Sequence, residues 1–248
     1  MRNIVLVAAA ALLLRPAGAI GQGLPVNAVD FGLRGTAYDT GSDQARSRRY
    51  RDFRDGVTID AFTFAKDTDM RRWNLQASHV GYLDQHYAAA WNEFGRFKLS
   101  FDWNQIPLLF SDSTRTLFST SRGVLRISDA IQAGVQAGST TLGAAVAEAQ
   151  PLELRLRRDV ADFKMTYSAS PHVDFNMSLK SAAKSGTQPW AGDFGQSNTA
   201  ELAVPVDTST TDVGAGIEWA NGRTSARLGY DGSFFINNVS TLVWDNPR

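Results

Sequence analysis

Phe97-Lys-Leu-Ser-Phe-Asp-Trp-Asn104 alternates a large apolar residue with a polar one at every step. Successive side chains of a strand point to opposite faces, so this octet reads as a strand with one apolar and one wet face. The same period-2 pattern recurs at residues 73–78, 163–169, 173–180 and 213–219. Looser segments at 31–38, 57–65, 87–91 and 226–234 bring the expected strand count to nine. The phase slips near Ala61 and Phe62, which suggests a β-bulge.

Working outward from these strands, the connections alternate in length. Tight turns are expected at Asp67-Thr68-Asp69, Phe94-Gly95, Ser170-Pro171 and Asn221-Gly222, the last being a strong hairpin signal. Long polar connections are expected at 39–56, 105–159 and 183–210, and only the third strand departs from the rule, with a tight turn near Leu83-Asp84. Short turns on one rim and long loops on the other are the habit of outer-membrane barrels. Within the longest loop, Ser128 and Asp129 can cap a helix with Ile127, Ile131 and Val135 on one face, although Gly134 and Gly138 oppose it. Little helix is expected outside 124–135.

A soluble β-sandwich also alternates. Three features favour lipid. The polar face carries charges of both signs (Lys98, Asp102, Lys164, Asp174, Lys180 and Glu218), as a wet lumen would. Trp73, Trp91, Trp103, Tyr167 and Trp219 fall near strand ends, where an interfacial girdle lies. The strands are long enough for a tilted crossing, which takes about 9–11 residues. The fold expected is therefore all-β: an antiparallel up-and-down transmembrane β-barrel. Nine strands do not close a bacterial barrel, which takes an even number, and Leu242 to Arg248 read as a loop. Residues 20–248 are accordingly expected to be the N-terminal part of a longer outer-membrane barrel.

Residues 1–19 read as a signal peptide: a positive start at Arg2, an apolar run from Ile4 to Leu14, and Ala17-Gly18-Ala19 as a cleavage site. A buried N-terminal helix is the other way to read that run. It is too short for a membrane span, which needs about 20 residues. Twenty-five basic and twenty-five acidic residues balance, so nothing points to nucleic acid. Zero cysteines exclude disulfides, covalently attached haem and iron–sulfur ligation by this chain.

No catalytic constellation is visible, so no enzyme, metal site or cofactor of its own is expected. His79, His86 and His172 are scattered near strand ends. The unusual segment is Arg46-Ser-Arg-Arg-Tyr-Arg-Asp-Phe-Arg-Asp55, with five arginines and two aspartates around two aromatics. Its plain interpretation is a solvated loop laced with ion pairs. The functional one makes Arg48, Arg49, Arg51 and Arg54 a partner-docking cluster, because arginine pairs bidentately with carboxylates, haem propionates included.

That segment, together with residues 95–107, 211–219 and 242–247, resembles the MtrB/PioB family of decahaem-associated outer-membrane β-barrels. The resemblance runs from about Phe31 to the last residue. It implies a sheath: a periplasmic multihaem c-type cytochrome inserts in the lumen, and electrons hop through its haems across the outer membrane, as in extracellular electron transfer. Some members carry Cys-x-x-Cys near the mature N-terminus; this chain has none. The alternative from another class is a porin for small solutes, with a mixed-charge lumen setting selectivity.

Overall fold

The computed structural model describes residues 27–248 except 40, 42, 150 and 196–198. The expected signal peptide, 1–19, lies outside the described residues. Nine strands form one antiparallel sheet in chain order. They are β1 (Ala28–Arg34), β2 (Gly56–Asp67), β3 (Arg71–Val80), β4 (His86–Glu93), β5 (Phe97–Arg115), β8 (Pro151–Ser170), β9 (Val173–Asp193), β10 (Thr199–Ala220) and β11 (Ser225–Asn237). Between β5 and β8 the chain forms β6 (Ser119–Ser121), β7 (Val124–Arg126), α2 (Asp129–Gln136) and α3 (Leu142–Glu148). Helix α1 (Gln44–Ser47) lies in the first long loop, and β12 (Val243–Trp244) closes the described chain. The nine-stranded sheet is open, with β1 and β11 as its edges.

All nine expected strands are present, in the expected up-and-down order. The phase slip is a bulge: Asp30 faces Ala61 and Phe31 faces Ile59, which leaves Asp60 of β2 as the extra residue. The tight turns form as read. Asn221 accepts from the amides of Arg223 and Thr224 through its side chain, and Gly222 takes φ +82°.

Three expectations need correction. Much of the expected loops at 105–159 and 183–210 is strand: β5, β8, β9 and β10 run to 19, 20, 21 and 22 residues, about twice a membrane crossing. Helix is not confined to 124–135, since α1 and α3 form as well. Ser128 and Thr141 cap α2 and α3 by accepting from the amides of Ile131 and Ala144, whereas Gly138 at φ +71° stops α2 after two turns. The 242–247 segment is not a free loop: β12 lies parallel to β7 in a small three-stranded sheet. That parallel bridge is outside the main sheet, which is antiparallel throughout.

Three prolines within the long strands obey one rule. Gln105 N donates to Gln85 O and Leu109 N donates to Arg49 O, so residue 107 between them also aims at the β4 side. β4 has ended at that height, and Pro107 offers no N–H to leave unpaired. By the same parity Pro189 faces the side where β8 has stopped pairing, and Pro205 the side beyond the end of β11. Gly186 stands where β8 leaves β9: φ is +126°, and a Cβ there would collide with Arg155 O.

Candidate functional site

The sheet's two faces differ in character, and the register fixes them. On one face, Trp73, Trp91, Leu99, Met165, Met177, Ala215 and Tyr230 form a continuous row. Leu75, Ala89, Phe101, Phe163, Leu179 and Val213 form the next. Many of these side chains are bare, including Trp73, Phe101, Met177, Leu179 and Tyr230. A sandwich would bury them under a second sheet. Contiguous exposed apolar surface of this extent in a sheet belongs against lipid.

Aromatic pairs sit at both margins of this band. Trp91 is 5.7 Å from Trp73 and 5.2 Å from Phe97 near the short-turn rim, and Tyr87 is 5.6 Å from Trp103 at the opposite margin.

Above Trp103 the polarity of the faces inverts. On β8 the bare face runs Tyr167, Met165, Phe163, Ala161 and then Asp159, Arg157, Arg155, Glu153. Arg157 pairs with Asp159 at 3.0 Å and Arg155 with Glu153 at 2.8 Å. The opposite face runs Thr166, Lys164, Asp162 and then, beyond Val160 and Arg158, Leu156 and Leu154, which are 3% and 0% exposed. On β10 the same change separates Asp212 from Val204, Leu202 and Ala200 on one face, and Val213 from Ser209 and Asp207 on the other. β5 departs from this pattern: above Trp103 its outer face is buried at Gln105 and Leu109, beside the loop that bonds Leu109 N through Arg49 O, while Ile106 on the other face is exposed. The transition follows one row of the sheet, because Gln105, Asp159, Ala183 and Ser209 are cross-strand partners. Below that row the outer face is apolar and the inner face charged; above it, on β8 and β10, the outer face turns polar and the inner face is buried at Leu154, Leu156 and Leu202. On β8 and β10 the pattern sets the edge of the bilayer at this row.

The inner face within the band holds charges of both signs. Asp102 and Asp162 face each other across β5 and β8, an unfavourable pairing alone. His86 Nε2 lies 2.7 Å from Asp102 and Lys164 Nζ 3.4 Å from Asp162, which offsets it. Nearer the short-turn rim is a hollow of about 340 Å³ lined by Arg72, Asn92, Lys98, Ser100 and Lys164. A second, of about 190 Å³, adjoins it over Ser178, Gly214 and Gly216. Among the described residues no group of three or more His, Asp or Glu is placed to hold a metal.

The sequence patterns, the bare apolar band and a family comparison agree. The model described as "Putative outer membrane beta-barrel porin, MtrB/PioB" matches residues 39–248. The chain belongs to the MtrB/PioB family. It is an outer-membrane β-barrel protein. A comparison with curated proteins gave no match.

The four arginines singled out in this MtrB/PioB chain lie in the loop between β1 and β2 but do not act alike. Arg54 Nε donates to Asp52 at 2.7 Å, and its Nη2 donates to Gly81 O at 2.7 Å. Arg51 lies 3.7 Å from Asp84, which His79 also approaches at 3.1 Å. Arg49 stacks over Tyr50, with 5.9 Å to the ring centre. Arg34, on β1, was not singled out, yet it donates to Asp52 O and lies over the rings of Phe53 and Tyr82. Asp55 accepts from both the hydroxyl and the amide of Thr36, and these bonds hold its carboxyl below the usual carboxylate range. Sequence reasoning also missed Leu152, Leu154 and Leu156. Their alternation with Glu153 and Arg155 was there to find, in a phase opposite to that of Phe163 and Met165.

Proposed function

We propose that this wall belongs to a sheath that holds a multihaem c-type cytochrome in its lumen, forming an electron conduit across the outer membrane. The observation that carries the reading is the floor of the inner face. Ala88, Ala90 and Ser100 on one side of Lys164, and Ser178, Gly214 and Gly216 on the other, are small inner-face residues, so a folded body can approach the sheet backbone closely at both. Flanking charges of both signs suit a polar protein surface better than a single-sign filter would. The chain has no cysteine, so covalent haem would sit on the partner, and the barrel's part is to keep lipid away from it.

The test is affinity purification of the protein from its native membranes, followed by haem staining of the co-purified chains. A stoichiometric haem-bearing partner supports the sheath. An assembled barrel that arrives without one overturns it and leaves the second reading, passage of small solutes along the mixed-charge hollows. Under that reading the isolated barrel conducts ions, and substitutions at Lys98 or Lys164 shift its selectivity.

A further inference from the structure

Above the bilayer edge the inner face of β10 is covered, and the cover is the chain's own. Residues 116–149 leave the sheet at the top of β5 and return to it at β8. Their core, Phe118, Leu125, Ile127 and Leu142, packs on Ala200, Leu202 and Val204 of β10. The pairing of β10 with β9 and β11 is unbroken, so Ala200, Leu202 and Val204 share a face with Asp212, Gly214 and Gly216. Those residues line the wet inner face of the band. The excursion, rooted on β5 and β8, therefore folds inward onto β10. There Thr116 donates to Glu201 O and Thr120 to Ala203 O, occupying carbonyls that β11 is too short to reach.

The cover is also tied down. Asp245 N donates to Leu125 O and accepts from Ile127 N, Gln132 donates to Asn246 O, and Val243 N donates to Gly123 O. Gly123, at φ +83°, lets Thr241 pass where a Cβ would strike its carbonyl. Leu125 and Leu202 are 0% and 1% exposed. A packed core with a strap across it is a fixed body rather than a swinging loop.

We propose that residues 116–149, strapped by 241–247, form a constriction that overhangs the barrel mouth on the long-loop side and excludes bulky solutes from the lumen. The inference needs the inner face to be the lumen but not a cytochrome inside it. The test is accordingly made in cells lacking multihaem cytochromes, which separates its failure from that of the sheath.

The chain is free of cysteine, so Ser178→Cys places a single thiol on the inner face. Long loops face the exterior in such barrels. Arg115 and Pro151 are cross-strand partners, so an Asn-Gly turn can replace residues 117–149 without moving either strand. Intact cells are treated with a small methanethiosulfonate or with a polymer-linked maleimide. The small reagent is expected to label the thiol with and without the cap, and the polymer reagent only when the cap is excised. Leu125→Asp, which loosens the core at full length, is expected to admit the polymer reagent as well. Equal polymer labelling with the cap intact overturns the proposal, and so does polymer exclusion from both altered proteins once the small reagent has entered.

Discussion

Arg54 Nε donates to Asp52 Oδ2 at 2.7 Å across a sharp gradient of exposure: the Asp52 side chain is 1% exposed and that of Arg54 53%. Asp52 also accepts from Leu83 N at 3.0 Å, which ties the loop after β1 to the turn between β3 and β4. The two partners should therefore respond unequally to mutation. Arg54→Ala leaves a buried carboxylate with only the amide donors of Leu83 and residue 54, a loss that costs about 3–5 kcal/mol when the partner is equally buried and somewhat less here. Asp52→Ala lets the guanidinium turn to water, and the orphaned Leu83 amide limits the cost to about 1–3 kcal/mol. Limited proteolysis of the 35–55 loop measures both. Equal rates in the two variants would show that Asp52 is not the anchor.

Asp55 sets a pH dependence in the same loop. Thr36 depresses its carboxyl, so its contribution is present above the ordinary carboxylate range and fades as pH falls through the depressed value. Acid-accelerated proteolysis of this loop is expected, and Thr36→Val, which loses the hydroxyl but keeps the amide donor, should reduce the acid sensitivity while leaving the neutral rate higher.

The bilayer edge inferred from β8 predicts opposite tolerances on one strand. Phe163→Lys puts a cation against lipid and should cost about 2–4 kcal/mol near the midplane. Arg157→Leu, on the same face above the edge, should leave folding in vesicles almost unchanged. Inner-face residues reverse the order: Lys164→Leu should be tolerated, whereas Leu154→Lys should be severe because Leu154 is fully buried. Equal penalties at Phe163 and Arg157 would move the edge or abolish it.

That inversion also explains what the sequence disclosed and what it concealed. Residues 97–104 and 213–219 were legible because inside the bilayer one face meets only lipid and the other only water. The pattern Leu152-Glu-Leu-Arg-Leu-Arg157 alternates as strictly, but in the opposite phase and beside many charges, so the stretch resembles a loop. Nothing local says that Leu154 and Leu156 are buried. The arginine cluster was visible as composition. Its division into Arg54, held by Asp52, and Arg49, over Tyr50, depends on Asp52 being buried, which no periodicity reveals.

Tryptophan fluorescence can locate the band directly. Trp73, Trp91 and Trp103 lie at its margins, whereas Trp190 lies on β9 above the edge and is 52% exposed. In single-tryptophan variants, lipids brominated near the headgroup should quench Trp91 and Trp103 and spare Trp190. Iodide in the water should quench Trp190. Lipid quenching of Trp190, the cross-strand partner of inner-face Leu202, would mean that this face meets lipid rather than water.

The last expectation concerns docking, where the four arginines separate. Arg51 and Arg54 are engaged with Asp84 and Asp52, so neutralising them disturbs the rim itself. Arg48 and Arg49 make no ion pair with any described residue, and they stand on the loop that caps the β5 edge through Arg49 O. An acidic partner surface could recruit these two cations without dismantling anything. Arg48→Gln with Arg49→Gln should therefore leave assembly and loop proteolysis unchanged while weakening retention of the partner. Exposed charges are screened beyond about 10 Å at 0.1 M salt, so the difference from the parent should be largest at low salt and close as salt rises. Arg51→Gln with Arg54→Gln should instead speed proteolysis of the loop at every salt concentration. Pull-downs across a salt series, with proteolysis in parallel, separate the two pairs. Unchanged retention by the Arg48 and Arg49 variant at low salt would end the docking role and leave the cluster as rim architecture.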